Sequence, residues 1–344
     1  MPAQSIGVIG AGGWGTALTK LLADKGAEVT LWCHGAVSYH DLVDHRENRA
    51  YLPGINLPAN VEVTQSLEVA GSDKRLIICA VPSHAVRDVF SKLAPVVALE
   101  TLLVCGTKGL EEETFNTMGE LLGDIFGAAR KQRQGFLSGP TFAIEVARQL
   151  PAAVTVAAYD DNVAKEIQAI LSTPSFRVYT SPDVVGVQIG GVVKNVIAIA
   201  AGISDGLGLG HNARAALITR GLAEMTRLAV RLGADAMTLA GLPGLGDLVL
   251  TSTDDLSRNR TVGLQIARGE TLAEITAAKR TVAEGVRNTR SLHALARRRG
   301  VDMPIVEQMY QVLYGGKKPA DAVADLMQRS LKSEVAKIDK TRAV

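Results

Sequence analysis

The first half of the chain alternates short apolar runs with longer segments of helical period. The runs are rich in β-branched residues and read SIGVIG, EVTLW, RLIICAV, TLLVCGTKG, RQGFLSG, AAVTVAA and finally FRVYTS. The first six lack the period-two alternation of half-exposed strands, so we expect helices to cover both of their faces. This order of elements predicts a mostly parallel sheet with crossover helices.

From about Gly190 the strand-like runs stop and helical periods take over. In ARAALITRGLAEMTRLAVRLG, apolar residues recur three or four positions apart, at Leu217, Ile218, Leu222, Met225, Leu228 and Leu232. Such spacing predicts an amphipathic helix, and Gly233 is placed as its C-terminal cap. We therefore predict an α/β domain over residues 1–189, an all-α domain over 190–334, and a charged tail over 335–344.

Composition and charge narrow the classes of partner. The 344 residues include 37 basic and 35 acidic side chains, a net charge of +2. A net charge this small produces no strong positive electrostatic field, so we do not expect nucleic acid to be the main partner. The spacing of Cys33, Cys79 and Cys105 matches no metal or redox motif, so we expect reduced core cysteines, no metal, and a cytoplasmic location.

Two apolar segments bear on membranes. The N-terminal run is interrupted by glycines and has no basic leader, so we do not expect a signal peptide. The stretch VVKNVIAIAAGI is broken by Lys194 and is expected to be too short to span a bilayer. The sequence therefore predicts no membrane insertion.

The glycine-rich stretch IGVIGAGGWGTAL follows the first strand and opens a helix. In a dinucleotide fingerprint, Gly10 permits the turn, Gly12 lets the pyrophosphate approach the backbone, and Gly15 lets helix and strand pack closely. The helix N-terminus then offers amides to the phosphates. The pattern favours a dinucleotide site over a glycine-rich turn with no ligand.

The end of the second strand bears on which dinucleotide is bound. NAD-specific folds usually carry Asp or Glu here, where it holds the ribose 2′-hydroxyl. EVTLW is followed instead by Cys33, His34 and Gly35. We therefore expect NADPH, or use of both NADPH and NADH, with His34 near the adenosine end unless it is simply a surface histidine.

Two further strand ends carry polar groups at the edge where open α/β sheets bind ligands. Lys108 stands between small residues in CGTKGL, where it can reach an anionic ligand. SGPTFA offers exposed amides and the Thr141 hydroxyl for close contact with cofactor or substrate. The alternative for Lys108 is a solvated loop lysine.

The helical half carries a lysine among apolar neighbours. Lys194 lies in GGVVKNVIAIAAG, and burial there disfavours its charged form, which suits a proton carrier. Asp247 follows a glycine-rich turn and is placed to orient that lysine or to bind a substrate hydroxyl. In DLSRNR, Ser257 is a natural N-cap, so Arg258 and Asn259 would lie at the positive end of a helix, a receptor for phosphate or carboxylate. The alternatives are a lysine that snorkels to the helix end and a capped surface helix with solvated arginines.

Taken together, these segments resemble the NAD(P)-dependent glycerol-3-phosphate dehydrogenases of the bacterial type. The segments that carry the resemblance are GAGGWGTAL, YLPG, AVPS, GTKG, SGPTFA, GGVVKNVIAIAAGISDGLGLGHNARAALITRGLAEM, GLGDLVLT, LSRNR and VAEGV, in this order. The resemblance implies a Rossmann-type N-terminal domain followed by an all-α domain of the 6-phosphogluconate dehydrogenase C-terminal type. It also implies a homodimer that reduces dihydroxyacetone phosphate to sn-glycerol 3-phosphate for glycerophospholipid synthesis.

The resemblance also assigns residues to roles. It implies that Lys194 is the proton acceptor. It implies that substrate is bound by Lys108, Gly139, Thr141, Lys194, Asp247, Ser257, Arg258 and Asn259. It implies that the cofactor, NADPH or NADH, is bound by Gly10, Gly12, Gly13, Trp14, Gly15, His34, Lys108, Ala143, Arg258, Val282 and Glu284. His34-Gly35 departs from the arginine more often found there.

Two other functions are compatible with the sequence. A related two-domain dehydrogenase could act on another small acid, as ketopantoate and hydroxyacid reductases do, although LSRNR favours a phosphate. A non-catalytic NADPH-sensing module would share the glycine motif but would need no lysine buried in the second domain. Oxidation of NADPH by dihydroxyacetone phosphate would distinguish the three.

Overall fold

The structure is a computed structural model that describes residues 5–277, 283–331 and 333–334, without the side chains of residues 36 and 37. The chain divides into two compact units. An α/β unit comprises residues up to Lys108 together with Asn116–Val184, and a helical unit comprises Gly109–Phe115 and the chain from Val185. The predicted tail, 335–344, lies outside the described residues.

Every strand among the described residues belongs to the α/β unit. They are Ser5–Ile9 (β1), Glu28–Trp32 (β2), Glu47–Asn48 (β3), Leu52–Asn56 (β4), Val61–Thr64 (β5), Leu76–Cys79 (β6), Leu102–Cys105 (β7), Gln134–Ser138 (β8), Ala152–Ala158 (β9) and Phe176–Ser181 (β10). Eight of them form one sheet in the order β10-β9-β8-β7-β6-β1-β2-β5, and β3 and β4 form a separate antiparallel pair. Every neighbouring pair in the large sheet is parallel except β8 with β9. The predicted Rossmann-type, mostly parallel sheet is confirmed.

The helices of the α/β unit cover this sheet. They are Gly13–Asp24 (α1), Ala36–Asp44 (α2), Leu67–Gly71 (α3), Val86–Leu93 (α4), Met118–Phe126 (α5), Ala128–Lys131 (α6), Ala143–Ala147 (α7) and Asp161–Leu171 (α8). All four residues of β6 and all four of β7 are buried, as expected for central strands covered on both faces. The strand order reverses between β1 and β6, and a sheet of this kind binds its ligand at such a point.

The helical unit is built around one long apolar helix, Val184–Gly206 (α9). The other helices are Gly210–Arg231 (α10), Ala236–Ala240 (α11), Asp247–Thr253 (α12), Arg258–Ala267 (α13), Leu272–Ala277 (α14), Glu284–Arg299 (α15), Pro304–Tyr314 (α16) and Pro319–Met327 (α17). A π-helical turn, Leu242–Gly246, precedes α12. Where the structure describes it, the second half is helical, as predicted.

Helix α9 differs from its prediction in two respects. It begins at Val184, so the helical unit starts ahead of the predicted boundary at 190, because one continuous helix carries the chain past that point. Its 23 residues are also long and apolar enough to span a membrane, contrary to the expectation from length. However, 89% of its most apolar window is buried inside the protein, which is the pattern of a central core helix.

The cysteines agree with their prediction. Cys33, Cys79 and Cys105 are free thiols, and all are buried. Burial raises the pKa of the Cys33 thiol to about 11, so it stays protonated and unreactive. Among the described residues, no group of three His, Cys, Asp or Glu side chains is arranged to hold a metal ion.

Candidate active site

The glycine loop makes the sharp turn expected after β1. Gly10 has φ of 119°, and a Cβ added there would lie 2.8 Å from the backbone of Ala80 at the end of β6. A Cβ on Gly15 would lie 1.9 Å from the Gly10 carbonyl oxygen. Neither position accepts a side chain, because strand and helix approach too closely.

Gly12 differs from these two glycines. A Cβ added to Gly12 would meet no atom of the protein within 4 Å, so the fold itself does not require glycine there. Gly12 is the N-cap of α1 and supplies no side chain to the first amides of the helix. Open space before a helix N-terminus, at the strand-order reversal, suits a dinucleotide pyrophosphate.

Asn48 supports this loop from β3 and was missed by sequence reasoning. Its buried Nδ2 donates hydrogen bonds to the Ala11 carbonyl at 2.8 Å and to Thr16 Oγ1 at 2.7 Å. The local sequence gave no signal, because Asn48 lies in a two-residue strand without a clear apolar pattern. Asn48 fixes both ends of the glycine turn.

Other predicted cofactor contacts lie around the loop. A Cβ on Gly13 would lie 3.8 Å from Ala143 Cβ, which places α1 and the start of α7 side by side. The indole of Trp14 covers Gly106, since a Cβ on that glycine would lie 2.9 Å from Trp14 Nε1. His34 is exposed after β2, with its ring centroid 5.9 Å from that of Trp32.

Lys108, Gly139 and Thr141 meet at the carboxyl ends of β7 and β8. Lys108 Nζ donates to the Gly139 carbonyl at 3.1 Å, and Thr141 Oγ1 donates to the same oxygen at 3.2 Å. Gly139 has φ of 147° and packs against the backbone of Val154. Three residues predicted to bind substrate thus form one polar group on the α/β unit.

The helical unit holds Lys194 in a buried polar group. Lys194 is 8% exposed and lies in the middle of α9. Its Nζ donates to Asp247 Oδ1 at 2.8 Å and to Thr251 Oγ1 at 2.8 Å. Thr251 Oγ1 in turn donates to Asp247 Oδ1 at 3.2 Å. Burial disfavours the ammonium, and the carboxylate in contact with it stabilises that charge.

Thr251 is a second residue that sequence reasoning missed. It lies four residues after Asp247 on α12, and residues at this spacing share one face of a helix. The spacing in GLGDLVLT therefore contained the signal. The π-helical turn before α12 directs this face toward Lys194.

Asn195 and Asn259 connect three helices beside this group. Asn259 Nδ2 donates to Asn195 Oδ1 at 2.9 Å, and Asn259 Oδ1 accepts from the Gly285 amide at 2.9 Å. Both asparagines are buried. The N-termini of α13 and α15 are therefore held next to the lysine-bearing turn of α9. Glu284, a predicted cofactor contact, is the first residue of α15.

Helix α13 begins as predicted. Ser257 Oγ accepts from the Arg260 amide at 3.2 Å and caps the helix, and Arg258 is exposed in its first turn. Arg260 is buried and bonds to Asp205 of α9 at 2.9 Å and to Asp255 at 2.6 Å. The two arginines of LSRNR therefore have different environments, one exposed at the helix start and one in ion pairs.

The predicted site residues thus form one group in each unit. Those of the α/β unit surround the glycine loop and Lys108, and those of the helical unit surround Lys194 and the start of α13. Val282 lies outside the described residues.

Comparison with known proteins places the chain. The family description "NAD-dependent glycerol-3-phosphate dehydrogenase N-terminus" matches residues 5–164, and "NAD-dependent glycerol-3-phosphate dehydrogenase C-terminus" matches residues 183–324. Glycerol-3-phosphate dehydrogenase (NAD(P)+) of Citrifermentans bemidjiense is 52% identical over 96% of this chain and 99% of its own. The enzyme of that name from Syntrophotalea carbinolica is 51% identical over 96% of this chain and 100% of its own.

Solved structures agree with this placement. The crystal structure of glycerol-3-phosphate dehydrogenase from Coxiella burnetii superposes with a TM-score of 0.91 at 40% identity, covering 95% of this chain and 99% of that one. A ketopantoate reductase from Ralstonia eutropha gives a TM-score of 0.59 at 14% identity, covering 93% of this chain and all of its own, and so shares the fold alone. The chain belongs to the NAD-dependent glycerol-3-phosphate dehydrogenase family.

Proposed function

We propose that this protein reduces dihydroxyacetone phosphate to sn-glycerol 3-phosphate with NADPH or NADH, and so supplies glycerophospholipid synthesis. The observation that carries the proposal is the buried group of Lys194, Asp247 and Thr251 beside the start of α13, where Arg258 is exposed. A proton carrier and an anion receptor on adjoining helices match a substrate with a carbonyl and a phosphate. Membership of the family supports the same reaction.

The glycine loop fits the dinucleotide. The open space at Gly12 and the uncapped N-terminus of α1 can accept a pyrophosphate, with Gly10, Gly13 and Gly15 shaping the turn. Trp14, His34, Lys108 and Ala143 complete the contacts we propose on the α/β unit. Bound NADPH or NADH supplies the hydride. Arg258, Glu284 and Val282 are the contacts we propose from the rest of the chain.

Lys194 handles the proton. The Lys194 ammonium would donate a proton to the substrate oxygen, where negative charge would develop as the carbonyl is reduced. In the reverse direction the neutral amine accepts that proton, the role of a general base. Asp247 keeps the ammonium charged before transfer, and Thr251 fixes its direction through one bond to each partner.

The start of α13 binds the phosphate. Arg258 offers a bidentate fork, and the helix N-terminus adds a positive partial charge. Ser257 and Asn259 lie on either side of Arg258, and we propose that they contact substrate together with Asp247. Lys108, Gly139 and Thr141 are the contacts we propose from the α/β unit.

The activity is tested by mixing the purified protein with NADPH and following the nicotinamide absorbance after substrate is added. We expect oxidation with dihydroxyacetone phosphate and far slower oxidation with unphosphorylated dihydroxyacetone. Faster turnover of 2-ketopantoate, or no turnover of any carbonyl substrate while NADPH still binds, would contradict the proposal. The second outcome would indicate a sensing module.

We further propose a cytoplasmic homodimer with neither nucleic acid nor membrane as a partner. The free thiols fit a reducing compartment, and the balanced charge fits a small-molecule enzyme. Light scattering after size exclusion should give about twice the chain mass of 36.3 kDa. A mass near that of one chain would contradict the dimer.

A further inference from the structure

The chain leaves the α/β unit after Lys108 and returns to it at Asn116, after seven residues. Those seven residues, 109–115, belong to the helical unit. We call them the 109–115 segment. Leu110 is 1% exposed within the helical core, and Phe115 packs against the same core.

One ion pair ties the segment to α15. Arg287 Nη1 donates to Glu112 Oε1 at 2.6 Å, and both side chains are partly exposed. The pair lines a pocket of about 180 Å³ together with Val286, Arg290 and Tyr314. Within the segment, Thr114 Oγ1 donates to Glu111 Oε2 at 2.5 Å. The anchor therefore combines one buried leucine with one charged contact.

The segment ends in a left-handed backbone conformation. Phe115 has φ of 63°, which is unfavourable for a bulky side chain. Such conformations persist only where the surroundings hold them, and they concentrate at functional sites. The other end is Gly109, whose neighbour Lys108 contacts the Gly139 carbonyl. Docking of the segment on the helical unit thus fixes the backbone that leads out of Lys108.

We propose that Arg287 is a positioning residue that holds the 109–115 segment through Glu112 and thereby fixes Lys108. The inference rests on the proposed function, in which Lys108 binds substrate and cofactor. Without the ion pair the segment exchanges between docked and loose states, and Lys108 is in place for a smaller fraction of encounters. The effect is modest, because a partly exposed pair is weak.

The test combines Arg287→Gln with Lys108→Ala. We expect Arg287→Gln to lower kcat/KM for dihydroxyacetone phosphate about two- to fivefold, and to have no further effect when Lys108 is already alanine, since coupled residues are not additive. The double reversal Arg287→Glu with Glu112→Arg should restore most of the loss. Arg290→Gln is the matched control, because its guanidinium lies over the Tyr314 ring, 5.6 Å from the centroid.

A second measurement does not depend on activity. Amide hydrogen exchange of peptides covering residues 106–116 should be faster in Arg287→Gln than in wild type and unchanged in Arg290→Gln. Unchanged exchange in Arg287→Gln would overturn the proposal, as would a loss of kcat/KM that is equally large with and without Lys108. An inactive wild-type protein would instead contradict the proposed function, and the exchange result would still decide this inference.

Discussion

At the scale of single residues, Lys194 is a buried cation that depends on one carboxylate and one hydroxyl. Lys194→Ala should lower kcat by about 10² to 10⁴, the usual contribution of a positioned acid or base, while NADPH binding is largely kept. Steady-state kinetics and cofactor titration check this. Lys318→Ala, at an exposed position of the same unit, should change neither. A kcat near normal in Lys194→Ala would move the proton to another group, with Lys108 the first candidate.

His34 is the residue that bears on cofactor choice. Because no carboxylate follows β2 to repel a 2′-phosphate, kcat/KM with NADPH should equal or exceed that with NADH. His34→Asp should shift the ratio toward NADH, since a carboxylate there would repel the 2′-phosphate. Measuring kcat/KM for both cofactors in both proteins checks this. A wild-type protein that strongly prefers NADH would contradict the interpretation of His34.

At the scale of elements, α13 carries two arginines whose roles should separate. Arg258→Ala should reduce kcat/KM for dihydroxyacetone phosphate at least about tenfold, because a charge-assisted hydrogen bond is worth about 1.5 to 3 kcal/mol. It should affect unphosphorylated dihydroxyacetone far less. Equal losses for both substrates would instead assign Arg258 to the cofactor or the fold.

Arg260→Ala is the counterpart of that change and should mainly lower thermal stability. Its removal breaks the ion pairs with Asp205 and Asp255 and leaves Asp205 paired with Arg214. A Cβ on Gly202 would lie 2.0 Å from the Arg260 carbonyl oxygen, so α9 and α13 pack too closely to adjust. Thermal unfolding of both variants checks this contrast. An Arg260→Ala protein as stable as Arg258→Ala would contradict it.

Helix α16 begins on a buried carboxylate of α10. Glu224 accepts from the amides of Ile305 and Val306, yet burial raises its pKa to about 7 from 4.5. Because its pKa is raised, the Glu224 carboxyl stays protonated up to a higher pH in the folded state than in the unfolded state. The contribution of this group to the free energy of unfolding is fully present below about pH 4.5 and is lost as pH rises through 7. The total loss is about 3 kcal/mol.

Glu224→Gln should therefore remove most of this decline. The free energy of unfolding of wild type, measured by denaturant titration between pH 4.5 and 7.5, should fall more steeply than that of the variant. The two proteins are compared by how steeply the free energy of unfolding changes with pH, and not by its absolute value. The reason is that the side-chain amide introduced by Glu224→Gln also loses one of the capping contacts at the start of α16. Glu28→Gln, at an exposed position, should keep the wild-type slope. Parallel curves for wild type and Glu224→Gln would show that Glu224 is not the cause of the decline in stability with pH.

At the scale of the whole molecule, patterns with strong periodicity could be predicted and short mixed segments could not. The sheet strands from β1 to β10 were visible as apolar runs, except β5, whose VEVT alternates and has only one buried residue. The β3–β4 pair and Asn48 were missed for the same reason. The Ser257 cap could be predicted because capping depends only on neighbouring residues. Thr251 could be found only by working out which residues share a face of the helix. The assignment of residues 109–115 to the helical unit depends on tertiary packing, which the local sequence does not show.

The stabilisation of the whole chain by NADPH tests whether the glycine loop binds the dinucleotide. Two variants of the loop, Gly12→Ala and Gly15→Ala, are compared with wild type. A ligand that binds only the folded state stabilises it by about 2.7 kcal/mol when its free concentration is a hundred times Kd. Wild type should therefore unfold at a higher temperature in NADPH. Gly12→Ala should unfold at the wild-type temperature without ligand, because its Cβ meets no protein atom within 4 Å, but should gain little from NADPH.

Gly15→Ala should behave in the opposite way. Its Cβ would lie 1.9 Å from the Gly10 carbonyl oxygen, so the variant should already be destabilised without ligand. Thermal unfolding of the three proteins with and without NADPH gives all the values needed. A Gly12→Ala protein with the full wild-type gain would show that the space before α1 is not where the pyrophosphate lies. The dinucleotide site would then have to be sought elsewhere along the carboxyl edge of the sheet.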